Sequence, residues 1–171
     1  GIGANTAMFS VVHALLVRPL PYANADRLVI LWNRSPGLNI TEDWFSTAQY
    51  FDIKAGHTGF DDLAIALGAN YSLTGRGGDP ERVGVMRVSA NLLRMLGAQP
   101  ERGRLFAADE DGPGRALVAV LGHGLWMRRY GGDPAIVGAS ITLNGLNMEV
   151  VGILPRSFAL PHEVLPEALA L

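Results

Sequence analysis

The stretch ALVAVLGHGLWMRRYGGDPAIVGASITLNGLNMEVVGI, residues 116–153, decides the fold class. Its first apolar run, residues 116–121, has the length of a buried strand. The residues His123–Tyr130 predict a helix, because two glycines follow directly and glycine commonly closes a helix. Two alternating runs, 140–143 and 148–153, flank the turn dipeptide Asn-Gly and indicate a β-hairpin. A strand, a helix and an antiparallel pair in close succession are typical of an α+β domain.

The chain upstream of this stretch repeats the same mixture of helices and hairpins. Ser46 and Ser89 are each predicted to cap a short helix, and a turn at residues 75–80 is predicted to join two strands into a hairpin. The predicted upstream elements are a strand at 28–32, a loop at 34–43, a helix at 48–55, strands at 64–74 and 82–88, a helix at 91–96 and a loop at 103–114.

One octapeptide occurs twice, as GGDPERVG at residues 77–84 and as GGDPAIVG at residues 131–138. A duplicated half-domain would explain the echo. So would the same turn chemistry used twice, with glycine for a positive φ, aspartate for local capping and proline for a preset φ. We favour the second explanation.

The composition is that of a folded domain. Of its 171 residues, 49% are hydrophobic and 18% are charged, as in ordinary globular proteins. This length predicts one domain or two small subdomains. The formal net charge of −2 gives no electrostatic reason to expect a nucleic acid as a partner. Because the chain has no cysteine, disulfides and thiolate chemistry are excluded.

No sequence motif points to catalysis. The chain has no P-loop, and its opening GIG lacks the third glycine and the preceding strand of a dinucleotide fingerprint. The four histidines are far apart, so a zinc site has no support. Asp109, Glu110 and Asp111 lack the alternating spacing of a calcium loop and are predicted to form a solvated loop. We therefore predict no catalytic residues, no cofactor, no metal and no enzymatic activity.

The opening of the chain is apolar. Residues 1–17 carry no charge and stop at the run RPLPY, residues 18–22. As a helix at about 1.5 Å per residue they would span roughly 25 Å, a little short of a hydrocarbon core of about 30 Å. Their apolar positions cover most of a helix circumference, which fits either the end of a membrane helix or a helix buried in a soluble core. The two prolines predict an extended connector.

Four segments, taken together and in order, carry a resemblance to a known family. They are GIGANTAMFSVVHALLVRPLPYANADRLVILW (1–32), DPERVGVMRVSANLLRMLGAQPERGRLFAADED (79–111), VLGHGLWMRRYGGDPAIVGASITLNG (120–145) and VVGILPRSFALP (150–161). The chain resembles the MacB-like periplasmic core domain of FtsX-type ABC transporter permeases, and most of all the duplicated orphan permeases best known from acidobacteria. Residues 34–43 carry no family signature, and the residues after 161 depart from the family's pattern.

The resemblance implies a division of the chain and a role for it. Residues 1–18 would be the C-terminal part of the first transmembrane or stalk helix. Residues 19–171 would be the core domain, truncated at its C-terminal end, with two small subdomains on the periplasmic side of the inner membrane. The domain would be non-catalytic. It would couple ATP-driven movement of the membrane helices to the handling of a substrate or partner in the periplasm, as in efflux, export or mechanotransmission.

The resemblance also implies partners. These are the membrane, a separate cytoplasmic ABC ATPase subunit and a periplasmic adaptor, in a dimer of permease halves. Residues 9–17 would act as the stalk and residues 18–21 as its rigid join to the domain. The alternative is a soluble ligand-binding or sensor domain with a buried N-terminal helix.

Overall fold

The computed structural model describes residues 22, 25–31, 33–35, 40–43, 45–56, 58–76, 78–112, 114–160 and 168–170. In this part of the chain the helices are α1 (Thr47–Gly56), α2 (Leu92–Met95) and α3 (His123–Tyr130), with two 3-10 helices (Ala25–Arg27 and Pro134–Ile136). The strands are β1 (Asn33–Ser35), β2 (Ile40–Asp43), β3 (Ala66–Thr74), β4 (Glu81–Val88), β5 (Arg102–Gly103), β6 (Val118–Leu121), β7 (Ser140–Leu143), β8 (Leu146–Ile153) and β9 (Ala168–Ala170). This mixture confirms the predicted α+β class, whereas the division into two subdomains stays a prediction.

Among the described residues the main sheet has seven strands, and their pairings close on themselves. The order is β5-β8-β6-β9-β4-β3-β7, and β7 also pairs with β8. The pairs β4–β9 and β6–β8 are parallel, and the other pairs of this sheet are antiparallel. β1 and β2 form a separate antiparallel pair. Because β8 pairs with β5, β6 and β7, it is the most extensively paired strand of this sheet.

A β-bulge in β8 places its side chains in two hydrophobic clusters. Val150 lies opposite Ala119 of β6 and Gly152 lies opposite Val120, so Val151 is an extra residue on β8. Side chains alternate between the two faces of a strand, and one extra residue shifts this alternation. On β8, the first cluster takes Met148, Val150 and Ile153, and the second takes Val151.

The two clusters are built from different helices. The first cluster joins the sheet to α3 and consists of Leu73, Val83, Val85, Ala119, Leu121, Leu125, Trp126, Ile136, Ile141, Leu143, Met148, Val150 and Ile153. The second cluster involves α2 and the end of β8 and consists of Ala90, Leu93, Ala98, Phe106, Val120, Val151 and Leu154. Burial of these side chains removes apolar surface from water, which is the main favourable contribution to folding.

The predicted Asn-Gly hairpin is confirmed between β7 and β8. Asn144 and Gly145 both have positive φ, 49° and 79°, as a tight type I′ turn requires. The turn is fastened to β3, because Ser72 N donates to Asn144 Oδ1 at 2.8 Å and Asn144 N donates to Ser72 O at 2.9 Å. The turn residue that allows the hairpin thus also ties it to a third strand.

The cap predicted at Ser46 is confirmed, and the cap predicted at Ser89 is wrong. Ser46 Oγ accepts from Gln49 N at 3.2 Å, and Ser46 N donates to Gln49 Oε1 at 2.9 Å, which is a capping box at the start of α1. Ser89 Oγ instead accepts from Ile65 N at 3.1 Å and donates to Asn91 Oδ1 at 2.7 Å. The hydroxyl of Ser89 therefore bonds a distant segment, and α2 begins without a side-chain cap.

Two predictions in the first third of the chain are wrong. Residues 28–31 do not form a buried strand, since the structure assigns them no strand and Val29, Ile30 and Leu31 are exposed. Apolar β-forming residues make a strand only where a neighbouring strand completes their hydrogen bonds. Conversely, the predicted loop at 34–43 overlaps β1 and contains β2, and these two strands pair with each other.

The repeated octapeptide adopts two different conformations. In the first copy, Glu81 and the residues after it begin β4. In the second copy, Pro134–Ile136 is a 3-10 helix, and Asp133 caps it by accepting from Ala135 N at 2.9 Å. A duplicated half-domain would fold both copies alike. This difference therefore supports the second explanation, in which the same residue types are used in two different turns.

Candidate functional site

Tyr22 directly follows residues 18–21, which are predicted to join a stalk to the domain. The stalk (9–17) and the join (18–21) lie outside the described residues. Within the described ranges, no helix is both long enough and apolar enough to cross a bilayer. Tyr22 is the last residue of the RPLPY run and is 9% exposed.

Tyr22 is bonded to a turn far away in the sequence. Its hydroxyl donates to Ala159 O at 2.7 Å, across a separation of 137 residues. Its ring lies 6.0 Å from the ring of Phe158, tilted by 51°, a distance within the usual range for aromatic pairs. Phe158 in turn packs against the second cluster. Sequence patterns do not predict this contact, because no local pattern links two segments so far apart.

An open groove of about 270 Å³ lies beside Phe158. One wall is the chain that leaves α2, and the other is the turn that follows β8. Its lining residues are Leu96, Gly97, Ala98, Gln99, Pro155, Ser157 and Phe158. The groove thus separates the end of α2 from the turn that holds Tyr22.

A hydrogen-bond network fixes the other end of α2. Asn91 Nδ2 donates to Leu63 O at 3.0 Å and to Asp62 Oδ2 at 2.8 Å. The buried hydroxyl of Ser89 links this network to Ile65 N. Asp111 Oδ2 accepts from Ala90 N at 3.0 Å. Four side chains and backbone groups from three segments therefore hold the start of α2 in place.

The acidic loop is largely exposed, as predicted, and it is also ion-paired. Asp109 pairs with Arg115 at 2.8 Å. Glu110 accepts two bonds from Arg104, at 2.9 and 2.6 Å, and one from Ala107 N at 2.7 Å. Within the described ranges, no three His, Cys, Asp or Glu side chains gather as a metal site would require. Asp109 and Glu110 therefore hold the loop itself, whereas Asp111 joins the loop to the start of α2.

The environment of Glu110 favours its ionised form. The Arg104 guanidinium holds the pKa of Glu110 below its ordinary value, and the Ala107 N–H acts in the same direction against the opposing effect of burial. A lowered pKa in the folded state contributes stability above the ordinary glutamate pKa of about 4.3. That contribution is lost as the pH falls through the lower pKa of the folded protein.

We expect Glu110→Gln to flatten the acid limb of stability. The free energy of unfolding, measured by urea denaturation from pH 7 down to pH 3, should fall less steeply in this variant below about pH 4.3. Arg104→Gln serves as the partner control and should flatten the curve in the same way, because it removes the group that lowers the pKa. A variant curve parallel to that of the parent chain would contradict the assignment.

His123 begins α3, as predicted, and its ring has two partners. Its Nδ1 lies 2.9 Å from Glu101 Oε2, and its ring meets Trp126 edge-on at 5.6 Å. Trp126 Nε1 donates to Asp133 O at 2.9 Å. These contacts fix α3 against the residue before β5 and against the turn that follows the helix, which accounts for His123 structurally.

Comparison with known proteins places the fold. Residues 1–164 match the family of MacB-like periplasmic core domains. The extracellular domain of the noncanonic ABC-type transporter YknZ from Gram-positive bacteria is similar, with a TM-score of 0.59 and 12% identity over 74% of this chain and 61% of that one. The periplasmic region of MacB from Actinobacillus actinomycetemcomitans has a TM-score of 0.61 and 12% identity over 81% of this chain and 60% of that one.

The match therefore covers about three fifths of each solved domain. A search among curated protein sequences found no match. At 12% identity the two solved domains show a shared fold, and the family is shown by the match over residues 1–164.

Proposed function

Because the chain belongs to the family of MacB-like periplasmic core domains, we propose that it is a non-catalytic mechanical element of an ABC-type transporter permease. In this proposal the domain lies on the periplasmic side of the inner membrane. An ATPase subunit on the cytoplasmic side moves the membrane helices, and residues 9–17 carry that movement outward. The domain then changes its relation to a periplasmic substrate or adaptor, in a dimer of two permease halves.

The observation that carries the proposal is the anchorage of Tyr22. A segment can transmit force into a domain only if it is attached to the core. Tyr22 follows the two prolines of RPLPY directly, and it is attached through both its hydroxyl and its ring. Proline fixes φ and stiffens an extended chain. A stiff connector that ends in a buried anchor is suited to passing on movement.

The test makes the connector flexible without removing the anchor. We expect the double variant Pro19→Gly, Pro21→Gly to uncouple the domain from nucleotide, because glycine restores the backbone freedom that proline removes. The full-length permease, assembled with its ATPase in lipid nanodiscs, is compared with and without ATP and vanadate by hydrogen–deuterium exchange. In the parent protein, nucleotide should change exchange in the domain. In the variant, that change should fall several-fold while ATP hydrolysis continues.

A matched control is Pro80→Gly, which makes the same chemical change in an exposed turn before β4. Its response to nucleotide should equal that of the parent. If nucleotide changes hydrogen–deuterium exchange nowhere in the domain of the parent protein, the proposed function is contradicted.

A further inference from the structure

We propose that Tyr22 is a latch that delivers movement of the connector to the turn after β8, residues 155–160, and through it to the second cluster. This inference rests on the proposed function and assigns it a specific entry point. In this inference the turn and the second cluster receive the movement first. The first cluster and α3 stay in place and serve as the fixed base.

The latch consists of two contacts of different kinds. The hydroxyl of Tyr22 donates to the backbone of Ala159 at 2.7 Å, which is a directional bond between the two segments. The ring lies 6.0 Å from the ring of Phe158, which adds side-chain packing. Since a buried donor that loses its acceptor is costly, the connector and the turn are expected to move together.

The turn is directly joined to the best-paired strand. Leu154, the residue after β8, donates from its N–H to Leu121 O of β6 at 2.8 Å. Phe158 N donates to Pro155 O at 3.0 Å, which closes the turn on itself. Movement of the turn therefore reaches the end of β8 first, where Val151 and Leu154 belong to the second cluster.

The groove beside Phe158 provides room for this movement. Close-packed interiors resist displacement, because each side chain touches neighbours on all sides. On the groove side, Phe158 faces about 270 Å³ of open space toward the end of α2. The turn can shift into this space with fewer contacts broken than a shift within the first cluster would require.

The experiment removes the latch in two steps and compares it with a matched tyrosine. Tyr22→Phe removes the hydrogen bond alone, and Tyr22→Ala removes the ring as well. Tyr50→Ala is the control, because Tyr50 is also buried, at 6% exposure, and also donates to a backbone carbonyl, Leu63 O at 3.2 Å. The probe is the exchange of the Phe158 amide in the full-length permease with its ATPase in nanodiscs, with and without ATP and vanadate.

We expect nucleotide to change exchange of the Phe158 amide in the parent protein. Tyr22→Ala should abolish this nucleotide dependence and speed exchange of the same amide about tenfold in both states, since opening of the turn becomes easier. Tyr22→Phe should give an intermediate increase. Tyr50→Ala should leave both quantities at the parent value.

The outcomes distinguish this inference from the proposed function. If nucleotide changes exchange elsewhere in the domain but not at residues 155–160, or if Tyr22→Ala keeps the parent response, the latch is wrong and the mechanical role stands. If nucleotide changes nothing in the parent domain, the mechanical role fails and the latch fails with it.

Discussion

Gly152→Ala is expected to lower the free energy of unfolding by about 3 kcal/mol, a large effect for a single added methyl group. A Cβ atom at Gly152 would lie 2.1 Å from Arg104 O and 3.0 Å from the carbonyl carbon of the same residue. Both are backbone atoms, so a change of rotamer cannot relieve the overlap. Either β5 must separate from β8 or the bulge in β8 must rearrange.

Gly103, on the opposite strand, likewise leaves no room for a Cβ atom. It is the direct partner of Gly152 across β5 and β8, and a Cβ there would lie 2.2 Å from Val151 O. Its φ of +67° adds backbone strain of about 1–2 kcal/mol for any residue with a side chain. We therefore expect Gly103→Ala to be at least as destabilising as Gly152→Ala. The two strands are held close by Arg104 N–H donating to Val151 O at 2.9 Å.

The measurement is urea denaturation of the purified chain, followed by Trp fluorescence. Gly124→Ala is the matched control, since a Cβ at Gly124 would meet nothing within 4 Å and the residue lies inside α3. Alanine in a helix is favoured over glycine by about 0.5–1 kcal/mol, so this variant should be as stable as the parent or more so. Equal losses at Gly124 and Gly152 would show that the close approach of the strands does not decide stability.

Local patterns predicted the elements whose signals lie within a few residues. The N-cap at Ser46, the bounds of α3 and the Asn144-Gly145 turn all follow from chemistry between near neighbours. In these places the local preference and the tertiary fold agree. The family is likewise predictable from the sequence, because four segments resemble it in the same order and together span most of the chain.

Features that depend on distant partners could not be predicted. Gly103 was assigned to a loop and Gly152 to the interior of a strand, and only the register of β5 on β8 brings them together. Residues 28–31 have the composition of a strand, but the structure assigns them no strand and leaves Val29, Ile30 and Leu31 exposed. Residues 18–21 are predicted to be the join, yet nothing in the RPLPY run indicates that Tyr22 bonds Ala159.

The second large effect is expected at Arg129. This side chain is only 3% exposed, although it stands at the C-terminal end of a helix where a solvated cation would be equally compatible with the sequence. Its guanidinium crosses to the turn before β4, donating to Asp79 O at 2.8 Å and to Gly78 O at 3.2 Å. Glu81 Oε2 lies 3.4 Å away and supplies the opposite charge.

Arg129 therefore joins α3 to the first GGDP turn. The second GGDP turn lies close by, since Arg76 approaches Asp133 at 3.9 Å. Removal of the guanidinium would break both bonds to the turn and would leave Glu81 with less compensation. Since breaking one side of a buried charged contact is costly, we expect Arg129→Ala to lower the free energy of unfolding by about 3 kcal/mol.

Arg128 is the control provided by the chain itself. It is the neighbouring residue on α3 and pairs with the same carboxylate, Glu81, but its side chain is 58% exposed. Solvent screens such a pair, so Arg128→Ala should cost only about 0.5 kcal/mol. Arg129→Lys should recover only part of the loss, because one ammonium group cannot reproduce the planar fork that reaches two carbonyls.

Urea denaturation of the three variants at low and high salt separates charge from burial. The cost of Arg128→Ala should shrink in high salt, because its ion pair is exposed and screened. The cost of Arg129→Ala should shrink less, because its side chain is only 3% exposed and its bonds to Gly78 O and Asp79 O go to uncharged carbonyls. Similar costs at the two arginines, falling together with salt, would mean that Glu81 alone accounts for both and that the bonds to the turn contribute nothing.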